Sequence, residues 1–96
     1  MNLRKTKIIC TTGPSSSRPA TVEGLILNGM DVARINTSHC SEEEAGTQIK
    51  LIRKLAQKTG RNTAIMLDLQ GPKIRVGVLE REVNLSDGQE IVFTVN

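Results

Sequence analysis

The sequence predicts an α/β fold in which two successive βα units feed a third strand of a parallel sheet, with a β-rich segment after it. Three observations predict it. Short apolar, β-branched runs recur three times between Lys7 and Leu69, each of strand length. The stretches between them carry helical periodicity and helix end signals, joined by short connections. After Gly71-Pro72 the pattern changes to a loose alternation of period two, and no helix follows.

The first strand is expected over Lys7-Ile8-Ile9-Cys10-Thr11-Thr12, ended by Gly13-Pro14. Ser15 to Ser17 make a loop, and Pro19 suits the first turn of a helix, where its missing N–H is not needed. Val22, Leu25 and Ile26 share one face of that helix, and Gly29 is a natural stop. The second strand, Asp31-Val32-Ala33-Arg34-Ile35-Asn36, follows at once. The second helix has the strongest signals. Ser41 and Glu44 frame a capping box, in which each side chain satisfies a backbone N–H that the helix leaves unpaired. Glu42, Glu43 and Glu44 sit at the positive end of the helix dipole, with Lys50, Arg53, Lys54 and Lys58 toward the negative end. Ala45, Ile49, Ile52 and Ala56 form one apolar stripe, widened by Leu55, and Gly60 closes the helix. The third strand is Thr63-Ala64-Ile65-Met66-Leu67-Asp68-Leu69. All three strands are continuous apolar runs, which predicts a sheet covered on both faces. Beyond them, Ser86-Asp87-Gly88 lies between Val83-Asn84-Leu85 and Glu90-Ile91-Val92-Phe93, a hairpin signal. A domain boundary is therefore expected near Gly71, separating residues 1–70 from 71–96.

Composition narrows the function classes. Hydrophobic residues make up 38% and charged residues 24%, which is the balance of a soluble globular protein. The net charge of +3 comes from Lys and Arg scattered among ten acids, without the basic cluster and stacking aromatics that nucleic-acid binding needs. No apolar stretch is long enough to span a membrane and no signal peptide is visible, so a cytoplasmic, reduced chain is expected. Cys10 and Cys40 form no CxxC pair. Phe93 is the single aromatic residue. Aromatics supply much of the bulk of a small core, so a larger parent structure is expected.

In parallel α/β folds, ligands bind at the carboxyl ends of the strands. The first strand ends in Thr11-Thr12 and turns into Gly13-Pro14-Ser15. The second holds Arg34 and ends at Asn36-Thr37-Ser38-His39. The third ends at Asp68, followed by Gln70-Gly71-Pro72-Lys73-Ile74-Arg75. Three strands thus bring polar groups toward one rim. Plainer roles exist for most of them: Asn36 and Ser38 as turn and cap residues, Asp68 as a loop carboxylate, His39 as an ordinary loop histidine. Arg34 is harder to explain that way, because it interrupts an apolar strand and arginine is seldom buried unpaired. A guanidinium there suits a phosphate or carboxylate, gripped by two parallel hydrogen bonds. Gly13-Pro14-Ser15 is not a Walker loop, since the Gly-Lys-Ser/Thr ending is missing.

Three segments together resemble pyruvate kinase signatures, in order and with matching gaps. They are Thr6-Lys7-Ile8-Ile9-Cys10-Thr11-Thr12-Gly13-Pro14-Ser15-Ser16, then Gly29-Met30-Asp31-Val32-Ala33-Arg34-Ile35-Asn36-Thr37-Ser38-His39, then Leu67-Asp68-Leu69-Gln70-Gly71-Pro72-Lys73-Ile74-Arg75. The resemblance implies the first βαβαβ portion of a (β/α)₈ TIM barrel over residues 1–70 (the A domain). It also implies the start of a β-rich lid inserted after the third strand, over residues 71–96 (the B domain). It implies transfer of a phosphoryl group from phosphoenolpyruvate to ADP, giving pyruvate and ATP in glycolysis, with Mg²⁺ and commonly K⁺, in a homotetrameric parent. By position, Arg34 would hold the phosphoryl group. Asn36, Ser38, His39 and Arg75 would lie at the nucleotide. Asn36, Ser38, Asp68 and the carbonyl of Leu69 would form the monovalent-cation site. Thr37 stands where many members have Phe, and Lys73 where K⁺-requiring members have Glu. In the family, Lys there goes with independence from K⁺, so Asn36, Ser38 and Asp68 are expected to form a polar pocket answering to Lys73. The catalytic lysine and the acidic Mg²⁺ ligands of the family lie on later strands, so this chain alone is expected to be inactive and to need the remainder of the barrel. A stand-alone module that binds a phosphorylated metabolite, and a protein that pairs through open strand edges, are the alternatives.

Overall fold

The computed structural model describes residues 4–95. The elements run β1 (Ile9–Thr12), α1 (Pro19–Leu27), β2 (Val32–Asn36), α2 (Glu42–Thr59) and β3 (Ala64–Asp68). They make one three-stranded sheet in the order β1-β2-β3, with both pairings parallel. The expected element order holds. The strands are shorter than their apolar runs because Lys7, Ile8, Asp31, Thr63 and Leu69 lie outside the ladder.

The sheet has two unlike faces. On β2, Ala33 and Ile35 are buried while Val32, Arg34 and Asn36 are only partly so. Ala33 and Ile35 pack with Val22 and Ile26 of α1 and with Ala45, Ile52 and Leu55 of α2. Both helices therefore cover the same face, in contact with each other through residues that include the Lys58–Glu23 ion pair at 2.7 Å. The opposite face is open, with Ile9, Met66 and the neighbourhood of Arg34 facing outward. This corrects the expectation of cover on both faces. The two helices cover one side only, so β2 buries alternate residues, Ala33 and Ile35, while β1 buries only Thr12 and β3 buries none.

Both helices start and stop where the sequence places the signals. Pro19 opens α1, and Ser41 caps α2 by accepting from the Glu44 N–H at 3.2 Å while the Glu44 carboxylate accepts from the Ser41 N–H at 2.7 Å. After α1, the Met30 N–H bonds back to the Leu25 carbonyl (2.9 Å) and the Gly29 N–H to Ile26 (3.2 Å). After α2, Arg61 and Gly60 repeat this toward Ala56 and Gln57. This is the Schellman geometry, and it needs a left-handed residue, supplied by Gly29 at φ 112° and Gly60 at φ 63°. At Gly29 a side chain would also run into the guanidinium of Arg4.

Arg4, ahead of β1, has a structural role that the sequence does not show. Arg4 donates to the Gly29 carbonyl (2.8 Å) and pairs with the Asp31 carboxylate (3.1 Å). Asp31 also accepts from the Ile8 N–H at 2.8 Å. The backbone bond from Ile8, ahead of Arg4 and Lys7, lowers the Asp31 pKa below its ordinary 3.8, against a smaller opposing effect of burial. A lowered folded-state value means that the stabilisation is present above pH 3.8 and disappears as the pH falls through the folded value. Thermal unfolding followed from about pH 6 to about pH 2 should therefore show a smaller acid loss for Asp31→Asn than for the native chain.

After Asp68 no helix or strand occurs among the described residues. The Ser86-Asp87-Gly88 turn does form, with the Gln89 N–H bonded to the Ser86 carbonyl at 3.1 Å and Gly88 at φ 78°. The runs on either side do not pair. Val83 and Leu85 on one side and Val92 and Phe93 on the other are exposed, so neither run has an apolar surface to lie on. A lone hairpin without such a surface is marginal in water.

Candidate functional site

Parallel register decides which side chains meet. Thr11 lies opposite Arg34, and Arg34 opposite Met66, while Asn36 lies opposite Asp68. In parallel strands about 4.8 Å apart, residues at one level share a face. Thr11, Arg34, Asn36 and Asp68 therefore stand on the open face, with Asn36 and Asp68 ending their strands, Thr11 one residue short and Arg34 at the middle of β2.

Arg34 is the centre of this group. One guanidinium nitrogen, Nη1, donates to the Thr11 hydroxyl at 3.0 Å, and the other, Nη2, donates to the Asp68 carboxylate. Its side chain keeps 31% of its surface exposed. The cation is held from two directions and still has N–H groups to offer a ligand. This is a suitable arrangement for an oxyanion, because the charge is positioned beforehand and remains open on one side.

Around it, the loop after β2 is tied to the end of β3. Thr37 donates to the Asp68 carbonyl through its N–H (3.1 Å) and its hydroxyl (2.8 Å), and Gln70 donates back to the Thr37 carbonyl (3.0 Å). The Asn36 side-chain oxygen accepts the Ser38 N–H at 3.0 Å, so its turn role is real. Asn36 thus stands opposite Asp68 while holding the Ser38 N–H. Lys73 is exposed and forms no ion pair among the described residues, whereas Asp68 is engaged by Arg34. Leu69 and Arg75 are exposed in the segment without helix or strand.

A cleft of about 950 Å³ opens next to this group, between the ends of β1 and β2 and the start of α2. Gly13, Pro14, Asn36, His39, Glu44 and Gln48 contribute to its lining. Of the four residues expected at a nucleotide, Asn36 and His39 border the cleft, whereas Ser38 and Arg75 do not. Beneath it Thr12 is 5% exposed and donates to the Gln48 side-chain oxygen at 2.8 Å, which joins β1 to α2. Sequence inspection missed both threonines as partners. Thr11 becomes visible only once β1 and β2 are aligned in parallel register. Among the described residues no group of three His, Cys, Asp or Glu side chains could hold a metal ion, and no helix is long and apolar enough to cross a membrane.

The chain is similar to known proteins. The chain is 44% identical over 94 residues to the pyruvate kinase of Geobacillus stearothermophilus, an alignment covering 97% of this chain and 16% of that enzyme. It is 43% identical over 95 residues to the pyruvate kinase of Staphylococcus aureus strain USA300, covering 98% of the chain and again 16% of the relative. A crystal structure of a pyruvate kinase from Cryptosporidium parvum superposes with a TM-score of 0.71 and 47% identity, covering 80% of this chain and 16% of that one. The chain thus spans about a sixth of the length of the relatives it matches. With residues 3–96 matching the family described as pyruvate kinase, barrel domain, and a parallel α/β sheet that fits it, the chain belongs to the pyruvate kinase family.

Proposed function

We propose that the chain supplies the first three strands of a (β/α)₈ barrel in a pyruvate kinase, and that Arg34 holds the phosphoryl group passed from phosphoenolpyruvate to ADP. The observation that carries this is the guanidinium bracketed between adjacent parallel strands on the open sheet face. Phosphoryl transfer depends on positioning and charge neutralisation, and a fixed, partly open Arg supplies both. The open sheet face would be the barrel interior, and residues 71–96 would begin the lid. The cleft lined by Asn36 and His39 would take ADP, with Ser38 next to it in the same loop and Arg75 brought to it once the lid is complete.

In this reading Mg²⁺ would be held by acidic residues on later barrel strands, outside this segment. Potassium is a different case. Asn36 accepts from Ser38, and Asp68 is paired with Arg34, so two of the expected oxygen ligands are already engaged by protein groups. Each keeps further lone pairs, so the reading of an enzyme that works without K⁺ rests on Lys73, which stands where K⁺-requiring members have Glu.

The test is a chimera in which this chain replaces the matching 94 residues of the Geobacillus stearothermophilus enzyme. A coupled assay should detect pyruvate from the chimera with or without K⁺, and none from the isolated chain. Lys73→Glu should make the chimera depend on K⁺, with activity at least about tenfold lower in its absence. A folded chimera that forms no pyruvate would overturn the proposal. Phosphoenolpyruvate binding by the isolated chain, without turnover in the chimera, would instead indicate a binding module.

A further inference from the structure

We propose that Thr11 is the positioning residue for Arg34, setting the plane in which its guanidinium meets the phosphoryl group; this rests on Arg34 being the phosphoryl-binding group. Arg34 stands on β2 with Thr11 opposite it on β1. Asp68, the other anchor, is opposite Asn36, one same-face step nearer the carboxyl end. The two contacts thus pull the guanidinium along different directions, toward β1 through Nη1 and toward β3 through Nη2. A planar group held at one point can still swing about that point. Held at two, its fork has one orientation, and the remaining N–H groups face a fixed direction.

Asp68 alone would not serve. A carboxylate attracts the guanidinium strongly, but it also competes with an incoming phosphoryl group for the same N–H donors. The Thr11 hydroxyl is neutral and accepts through a lone pair, so it orients the cation without cancelling its charge. Thr11 is also exposed, so the contact does not serve to bury a polar group. The bonded rim threonine therefore acts on the arginine rather than on the core. It also borders the cleft, so a replacement must preserve its shape. Valine does that while removing the acceptor, and it suits a strand equally well.

In the chimera, Thr11→Val should raise KM for phosphoenolpyruvate about five- to tenfold, the equivalent of one modest hydrogen bond to a charged group. KM for ADP should stay within about twofold of the unsubstituted chimera, and Thr11→Ser, which restores the hydroxyl, should restore KM for phosphoenolpyruvate. A merely structural threonine would move both substrates together and would not distinguish serine from valine. In the isolated full chain, Arg34 side-chain N–H resonances report the same contact without turnover: separate, slowly exchanging signals in the native chain and in Thr11→Ser, merged signals in Thr11→Val. Unchanged kinetics for Thr11→Val, parallel loss of both substrates, or failure of serine to rescue would each overturn the proposal. An inactive unsubstituted chimera would count against the phosphoryl-transfer role alone. In that event, resonances identical in all three chains would remove the positioning role as well.

Discussion

Arg34→Ala in the chimera is expected to lower kcat/KM for phosphoenolpyruvate by about a thousandfold, with the chain still folded. The magnitude follows from the usual effect of deleting a pre-positioned cation or donor from a phosphoryl or oxyanion site, about 10²–10⁵ in rate. Two effects combine here. The transferring group loses its cation, and Asp68, which Arg34 pairs in the native chain, is left as an uncompensated anion on the same face. Arg34→Lys separates charge from geometry. A lysine keeps the charge but cannot reach Thr11 and Asp68 in a planar fork, so its activity should fall between alanine and arginine. Circular dichroism should show little change, because the side chain is 31% exposed and lies on the face away from the core. A loss smaller than about tenfold for alanine would remove Arg34 from the phosphoryl site.

The largest stability effect is expected at Ile35. It is 1% exposed on the central strand, packed between the sheet and both helices. Truncation to alanine there should cost about 2–5 kcal/mol, from lost burial and the cavity left behind. For a chain of this size that corresponds to a fall in Tm of about 10 °C or more. Ile74→Ala is the matched control. The same side chain is fully exposed in the segment after β3, and its removal should change stability by less than about 0.5 kcal/mol. Differential scanning calorimetry of the two variants measures the contrast directly. Equal effects would mean that residues 69–95 pack against the core.

Much of the helical structure was legible because its signals are local. A capping box, a proline in the first turn and a glycine after the last turn act within a few residues, and all appear where the sequence has them. The hairpin beyond Asp68 depended on a partner surface, and only its turn is formed. The site divides in the same way. Arg34 could be singled out because a cation inside an apolar strand needs an explanation. Thr11 carried no such mark, since a threonine is an ordinary strand residue. The polar end of a strand was likewise visible at Asp68, but not that Arg34 would be its partner.

By itself, the sequence determined the order of elements, the ends of both helices and the family to which the chain belongs. Each of those rests on residues close together in the chain or on motifs in a fixed order. Only the tertiary structure decided which sheet face is covered, which of two isoleucines is core, and that Thr11 and Asp68 hold Arg34 between them. Those outcomes depend on the parallel register of strands separated by whole helices. A shift of one residue in that register would turn every one of these side chains to the other face.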